Sequence, residues 1–435
     1  MRQLLLIGSL LSGLLACAQT KDDHFSVKEA ERLERVLAAD DMKGRRTGSP
    51  ELDRAAAFIA GEFKAAGLQP ARGDNDFLQS FSMVRPRFKG VKAEIKTEAG
   101  EQELNPKNVI VFTSEPDLKV NEKMGYRIER ISGGAADNRG HYFTEVQRLL
   151  RTGQNTVVFV DTVHAAYFGR VTGLKQQMFR SATNTVFILG NYQPKEFTVK
   201  AEHDFTEVPM ANVVGVLPGK SKPEEIVIFS AHYDHLGVGK AVNGDSIYNG
   251  ANDDAAGTTA VMLLARHFRQ MNNNERTIVF AAFTAEEMGM FGSQYFSRQF
   301  DPAKVVSMIN IEMIGTESKW GKNSAFITGY EKSDLGKLLQ EGLSGSGFTF
   351  HPDPYTQLNL FYRSDNATLA RLGVPAHTVS TSKMDNEPYY HSPDDEVETL
   401  DLANMVQIIR SIAIASAPII SGKVTPTRVA PESLR

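Results

Sequence analysis

Two hydrophobic periods alternate along the C-terminal half of this chain. Short apolar, β-branched runs at 211–217, 225–231, 276–284, 305–313 and 374–380 read as strands. Their apolar character is nearly continuous, as expected of strands buried on both faces. Between and after them, residues 255–270, 289–299, 333–344, 364–372 and 400–416 carry helical patterns. Strand–helix alternation of this kind predicts an α/β layer with a mostly parallel sheet. The N-terminal part, 26–68, is helical. Ser49 is placed as an N-cap, Pro50 as the first helical residue and Gly67 as the C-cap.

The pattern changes between residues 77 and 207. Strand-like runs at 91–97, 108–113, 156–160 and 185–189 mix with helical stretches at 142–151 and 167–179. This predicts a smaller α+β domain inserted between two parts of a larger one, 26–76 and 208–422. Residues 423–435 contain two prolines and read as a loose tail.

Composition adds bounds rather than a function. The chain has 435 residues, which favours two domains over one core. A net charge of −4 offers no basic footprint, so nucleic acid is not an expected partner. The first residues stand apart. Arg2 precedes an apolar run from Leu4 to Ala16, a secretory signal too short to span a bilayer. The only cysteine, Cys17, ends it, so residues 1–17 resemble a lipoprotein signal whose cysteine carries the lipid. Simple cleavage after Ala16-Cys17-Ala18 is the alternative. Lys21-Asp22-Asp23 resembles a surface-export signal of some bacterial lipoproteins. The expected location is an exported, outer-membrane-anchored or periplasmic lipoprotein, with the cell surface as the further destination. Its membrane contact would run only through the lipid. With no other thiol, any metal must be held by imidazole and carboxylate.

Polar chemistry gathers where the strands stop. The 225–231 run leads into His232 and Asp234. The 276–284 run leads into Glu286 and Glu287. The 305–313 run carries Glu312, and past the 374–380 run comes Tyr390-His391-Ser392-Pro393-Asp394-Asp395. With Asp253, two imidazoles and three carboxylates converge on one sheet edge, where open α/β sheets place their sites. Such a set suits zinc, or manganese or cobalt. Two divalent ions bring four positive charges. Asp253, Glu287 and Glu312 supply three negative ones and a bridging hydroxide the fourth, so two metals balance better than one. Taken singly, each element has an ordinary explanation. An acidic pair commonly opens a helix, Asp253-Asp254 could be an N-cap, and a histidine in a Tyr/Pro loop is commonly surface. His141, His164 and His203 are isolated and are not expected to be ligands.

Five stretches together resemble one family. They are Ala231-His232-Tyr233-Asp234-His235-Leu236-Gly237, Gly250-Ala251-Asn252-Asp253-Asp254-Ala255-Ala256-Gly257, the segment 283–293, Asn310-Ile311-Glu312-Met313-Ile314-Gly315, and Tyr390-His391-Ser392-Pro393-Asp394-Asp395. Gly44-Arg45-Arg46-Thr47-Gly48-Ser49-Pro50 matches the helical entry. The chain is similar to the co-catalytic zinc peptidases that include bacterial leucyl-type aminopeptidases, glutamate carboxypeptidase and the transferrin-receptor ectodomain.

The resemblance implies a three-layer α/β/α fold with a mixed, mostly parallel sheet. It implies two zinc ions per chain. His232 and Glu312 hold one, Glu287 and His391 the other, and Asp253 bridges through a cis Asp253–Asp254 peptide. Glu286 is then the general base and Asp234 orients His232. His235 fits the pattern without being a ligand; a His232/His235 ligand pair is the rival. Tyr390, Arg363 and Asp365 are placed at the substrate pocket. The family commonly has Asp at the Glu312 position and His at the Asn366 position. The insert occupies the place of a protease-associated domain and matches it loosely. The expected activity is hydrolysis of peptides by an aminopeptidase. A carboxypeptidase or dipeptidase, a glutaminyl cyclase and an inactive binding ectodomain are the alternatives.

Overall fold

The computed structural model describes residues 25–71, 76–134, 138–175 and 177–434. The leader and the Cys17 lipid site expected from the sequence lie outside the described residues. The chain divides into two units, one of Met1–Arg46, Arg54–Phe77 and Val213–Arg435, the other of Thr47–Asp53 and Leu78–Asn212.

In the larger unit the strand Lys222–His232 lies at the middle of a mixed sheet. Arg276–Phe283 and Val305–Ile311 flank it in parallel, and Ala376–Ser380 continues the parallel set beyond Val305–Ile311. Ser324–Ile327 then runs antiparallel to Ala376–Ser380, with Thr349–Pro352 parallel to it at the edge. On the other side, residues 213–217 end the long strand Glu196–Leu217 and pair antiparallel with Arg276–Phe283.

Alternation along Lys222–His232 serves two cores. Ile228 shares one face with Val279, Met308, Phe296 and Leu369. Phe229 points the other way and stacks on Phe268 of helix Ala256–Met271, with centroids 5.5 Å apart. Helices therefore cover both faces, which is the three-layer α/β/α arrangement. Each buried apolar side chain of this size contributes about 1.5–3 kcal/mol. Ser26 caps helix Val27–Leu37 by accepting from the Glu29 N–H at 3.2 Å.

In this unit three features depart from the sequence pattern. The segment after His232, for which no strand is predicted, contains a hairpin, Gly237–Val242 with Asp245–Tyr248. Asn243 and Gly244 form its turn, both at positive φ (51° and 95°), which is the residue pair that tight hairpin turns demand. The strands Ser324–Ile327 and Thr349–Pro352 were not expected. The tail is not loose. Val429 is buried and its N–H donates to the Gly373 carbonyl at 3.1 Å. Arg428 donates to the carbonyls of Val305 (2.7 Å) and Pro302 (3.0 Å). The physical reason lies in Arg276, 1 % exposed, whose guanidinium needs acceptors. It finds them in the carbonyls of Ile419 and Val424, both at 2.7 Å, in Thr425 Oγ1 at 2.5 Å and in Glu225 at 2.6 Å.

The smaller unit carries a four-stranded sheet. Thr156–Val160 is parallel to Arg127–Ile131 and to Thr185–Leu189, which pairs antiparallel with Val109–Phe112. Where residues 167–179 were expected to be helical, Ala165–Phe168 is one α-turn and Gly169–Lys175 is 3-10 helix. His164 and His203 are buried in this unit; His164 stacks on Tyr142 at 5.2 Å.

Candidate metal centre

Parallel pairing brings the strand ends together. His232 closes its strand opposite Phe283, so Glu286 and Glu287 leave the sheet beside it. Glu312 follows the last residue of Val305–Ile311. Asp253 arrives from the turn Ala251–Ala255 ahead of helix Ala256–Met271, and its peptide to Asp254 is cis. That helix packs tightly on the strand end: a Cβ at Gly257 would stand 2.2 Å from the Ile311 carbonyl and 2.5 Å from the Asp254 carboxylate. His391 comes from the long loop after Ala376–Ser380 and adopts φ 54°.

Asp253 is the shared member. Its Oδ1 lies 3.3 Å from His232 Nε2, and its Oδ2 lies 3.4 Å from His391 Nε2. Glu287 Oε1 is 3.3 Å from the same His391 nitrogen. Two donor groups result, each with its atoms within 4.8 Å of one another: His232, Asp253 and Glu312, and His235, Asp253 and Glu287. The five residues singled out by strand position are thus together. His235, expected to fit the pattern without being a ligand, also stands within this cluster. It is 1 % exposed, and its Nδ1 stands 2.9 Å from Glu287 Oε1. The contact is close but not aligned as a hydrogen bond. Among the described residues, both His235 ring nitrogens, Glu287 Oε1 and Glu312 Oε2 are buried without an aligned hydrogen-bond partner. Nitrogen and carboxylate lone pairs that face one another unsatisfied are donors suited to a shared cation, and imidazole with carboxylate is zinc's non-thiolate set. The residues fit zinc.

A second layer holds these donors. Asp254 accepts from the N–H groups of His232 (3.2 Å), Gly257 (3.0 Å) and Met313 (3.1 Å), tying three site segments together. Asp395 accepts from the N–H groups of Asn252 (2.8 Å) and Asp253 (3.0 Å). Arg45, fully buried, donates to the carbonyls of Tyr233, Asn249 and Gly250 at 2.7–2.9 Å, so it clamps the loops of His232 and Asp253. Its signal was the motif Gly44-Arg45-Arg46 alone. His232 Nδ1 meets the Asp234 carbonyl at 3.0 Å, while the Asp234 carboxylate is 3.9 Å away. That carboxylate instead accepts from the Glu286 N–H at 3.0 Å.

Without a cation, His232 and His391 carry positive charge beside the carboxylates. Burial alone would depress His232, but Asp253, Asp254 and Glu286 outweigh it and hold its pKa well above the ordinary value. His391 is likewise opposed by burial and raised to about 10 by Asp253 and Glu287. Burial pushes Asp253 up, yet His232, His235 and His391 hold it far below the carboxylate range. Glu312 is pushed up to about 7, chiefly by burial. Burial raises Glu286 well above its ordinary value, against His232 and with Glu312, Asp365 and Glu287 adding. Divalent ions binding to these donors would displace the imidazolium protons.

A pocket opens beside Glu312, walled by Met313, Phe326, Leu360 and Met384 with Arg363 and Tyr390 on its lining. Tyr390 stacks on His391 at 3.9 Å. Asp365 is corrected: it does not line the cavity. It is wholly buried at the head of helix Asn366–Ala370, and burial raises its carboxyl to about 7.

Residues 212–415 match the profile of Peptidase family M28, in line with the zinc-peptidase resemblance of the motifs. A probable leucine aminopeptidase of Trichophyton verrucosum is 30% identical over 218 residues, covering 48% of this chain and 57% of that protein. Aminopeptidase YwaD of Bacillus subtilis is 27% identical over 236 residues, 49% of this chain and 46% of that protein. The chain thus spans about half the length of the curated relatives it matches. Among solved structures, the aminopeptidase of Aneurinibacillus sp. strain AM-1 superposes with a TM-score of 0.53 at 16% identity, covering 95% of this chain and 97% of that one. The zinc aminopeptidase of Bacillus subtilis gives 0.54 at 17%, over 92% and 97%. These two share the fold.

Proposed function

We propose that this chain is an exported aminopeptidase with two zinc ions, hydrolysing peptide bonds at free N-termini. The observation that carries it is the Asp253 carboxylate, whose two oxygens face two separate groups of donors at 3.3 and 3.4 Å. In the proposed assignment His232 and Glu312 serve one ion and Glu287 and His391 the other, with Asp253 common to both. When bound, zinc supplies Lewis acidity and a water acidic enough to ionise near neutral pH.

The chain's own groups do the rest. Glu286, fixed through its N–H on Asp234, takes a proton from the water that attacks the scissile carbonyl and returns it to the leaving amine as the peptide C–N bond breaks. His232 is turned toward Asp253 by the Asp234 carbonyl on its far nitrogen. The side chain of the substrate's first residue enters the cavity walled by Met313, Phe326, Leu360 and Met384. Of the hydroxyls on this lining, Thr378 donates to Asn366 Oδ1 at 2.9 Å and Ser364 accepts from Asn310 Nδ2 at 2.8 Å. An uncharged, apolar side chain suits such a lining. The relatives named leucine aminopeptidase support this choice. Export by the leader at Leu4–Ala16 and a lipid on Cys17 complete the proposal; the lipid would be the chain's membrane contact.

One experiment tests the reading. Metal analysis should return two zinc ions per chain. Peptides with free N-termini should be cleaved, whether or not their C-termini are blocked. Cleavage of N-blocked peptides from the C-terminus would overturn the aminopeptidase assignment, and ammonia release from N-terminal glutamine would replace it with cyclisation. A Cys17→Ser chain that stays in the membrane fraction would overturn the lipid anchor.

A further inference from the structure

We propose that the apolar trough between helices Ala256–Met271 and Leu402–Ile420 seats on the phospholipid bilayer that holds the lipid of Cys17. Phe268 and Met271 of the first helix and Ala413, Ile414, Ala417 and Ile420 of the second line it. The last four recur at helical spacing and share one face. Ala413 and Ala417 are small, and Met271 and Ile414 stand beside them 44% and 46% exposed. None of the residues lining the trough is Asp, Glu, Lys or Arg. Apolar exposure that is clustered, rather than scattered, marks a contact surface.

What covers it follows from where the chain enters. The described residues begin at Phe25. Phe25 is buried at one end of the trough, its ring 4.6 Å from that of His267, with the Arg410 guanidinium 5.5 Å over it. Cys17 is eight residues earlier and so stands at most about 29 Å from Phe25. From Arg410 to Ile420 the helix rises only about 15 Å. A bilayer holding the lipid of Cys17 is therefore within reach of the whole trough. A tether this short brings the face to the bilayer at an effective concentration of about the millimolar order, so a small apolar face is enough. Arg410 at the same end suits anionic head groups.

The seating also orients the enzyme. Helix Ala256–Met271 starts beside Asp253 and carries Met271 about 24 Å further along its axis. A membrane at the Met271 end leaves the zinc donors facing the aqueous phase. The inference rests on the lipid of Cys17 proposed above and not on the reaction of the centre.

The test uses the full lipidated chain in vesicles of phosphatidylethanolamine and phosphatidylglycerol. Cys17 is the only cysteine, so once it carries lipid Ile414→Cys supplies a single thiol for a fluorescent label. Val238→Cys, 49% exposed in the hairpin after His235, gives the control. Phospholipid spin-labelled near its head group should quench the Ile414 label at least about twofold more than the Val238 label. Ala417→Glu should remove that difference with the melting temperature kept. The mass of the N-terminal peptide reports the lipid separately. A chain without lipid would remove the anchor and the seating together. A lipidated chain whose two labels are quenched alike would overturn the seating alone, as would quenching that survives Ala417→Glu. Shielding of the Ile414 label from aqueous iodide, without quenching by the spin-labelled phospholipid, would place a second copy or the chain's own acyl tail in the trough and overturn the seating as well.

Discussion

The main-chain N–H of Glu286 donates to Asp234 Oδ1 across 3.0 Å. One carboxylate thereby fixes the start of the turn that carries the proposed base, while its own carbonyl holds His232 Nδ1. Asp234 acts as a hinge pin between base and ligand. Asp234→Asn keeps the shape and loses the charge. It should lower kcat about 10–100-fold, the usual effect of disturbing a partner behind a metal site, with zinc content kept. Unchanged kcat at full zinc occupancy would show that the contact positions nothing.

Glu286 itself carries the larger prediction. It is proposed to move a proton and not to hold metal. Glu286→Gln should retain both zinc ions and lose turnover by about 10²–10⁴-fold, the range general-base catalysis supplies. Metal analysis beside kcat separates this from a ligand, whose loss would empty the site. A Glu286→Gln enzyme with full turnover would remove the base assignment.

The donor residues were legible because three of them stand where a parallel strand ends. The β-branched runs 225–231, 276–284 and 305–313 mark those ends without any structure. Asp253 was legible from its neighbours Asp254 and Gly257. His235 was undervalued because its closeness to Glu287 depends on how the two turns face, which spacing does not encode. Asp365 was misplaced for a related reason. Lying near pocket residues in sequence says nothing of which way a short helix turns its first side chain. Strands of four residues, such as Ser324–Ile327 and Thr349–Pro352, are too short to show a period. The hairpin after His232 did leave a signal in Asn243-Gly244, which a polar composition masked.

Glu34 links stability to pH. It is fully buried in helix Val27–Leu37, where burial outweighs the opposing effects of Thr259 and Arg45 on its carboxyl. Burial pushes its carboxyl up to about 8. A raised acid binds its proton more tightly in the folded state. Folding stability is therefore undiminished below the unfolded value of about 4.5 and falls as pH rises from there toward 8. Glu34→Gln removes the ionisable group and keeps the volume. The variant should match the wild type near pH 4.5 and exceed it at pH 8 by a few kcal/mol. Denaturant midpoints at those two pH values decide it; parallel curves would mean that Glu34 does not titrate in this window.

The C-terminal segment is predicted to matter for stability and not for turnover. Arg276 and Val305 are the first residues of their strands, so Val424, Thr425 and Arg428 dock at the edge opposite the zinc donors. Ending the chain after Lys423 would leave Arg276 without two of its acceptors and remove the buried Val429. Lost acceptors and lost apolar burial together should cost about 2–5 kcal/mol. Melting should fall accordingly, while kcat per zinc-loaded folded molecule stays within about twofold of the full chain. Arg428→Met, which keeps the segment's backbone contacts, should reproduce a smaller part of the loss. A truncated chain that melts with the full one would return the segment to the loose tail that its composition suggests. A truncated chain that melts lower and also loses kcat would mean that strain at the strand starts reaches His232 and Glu312.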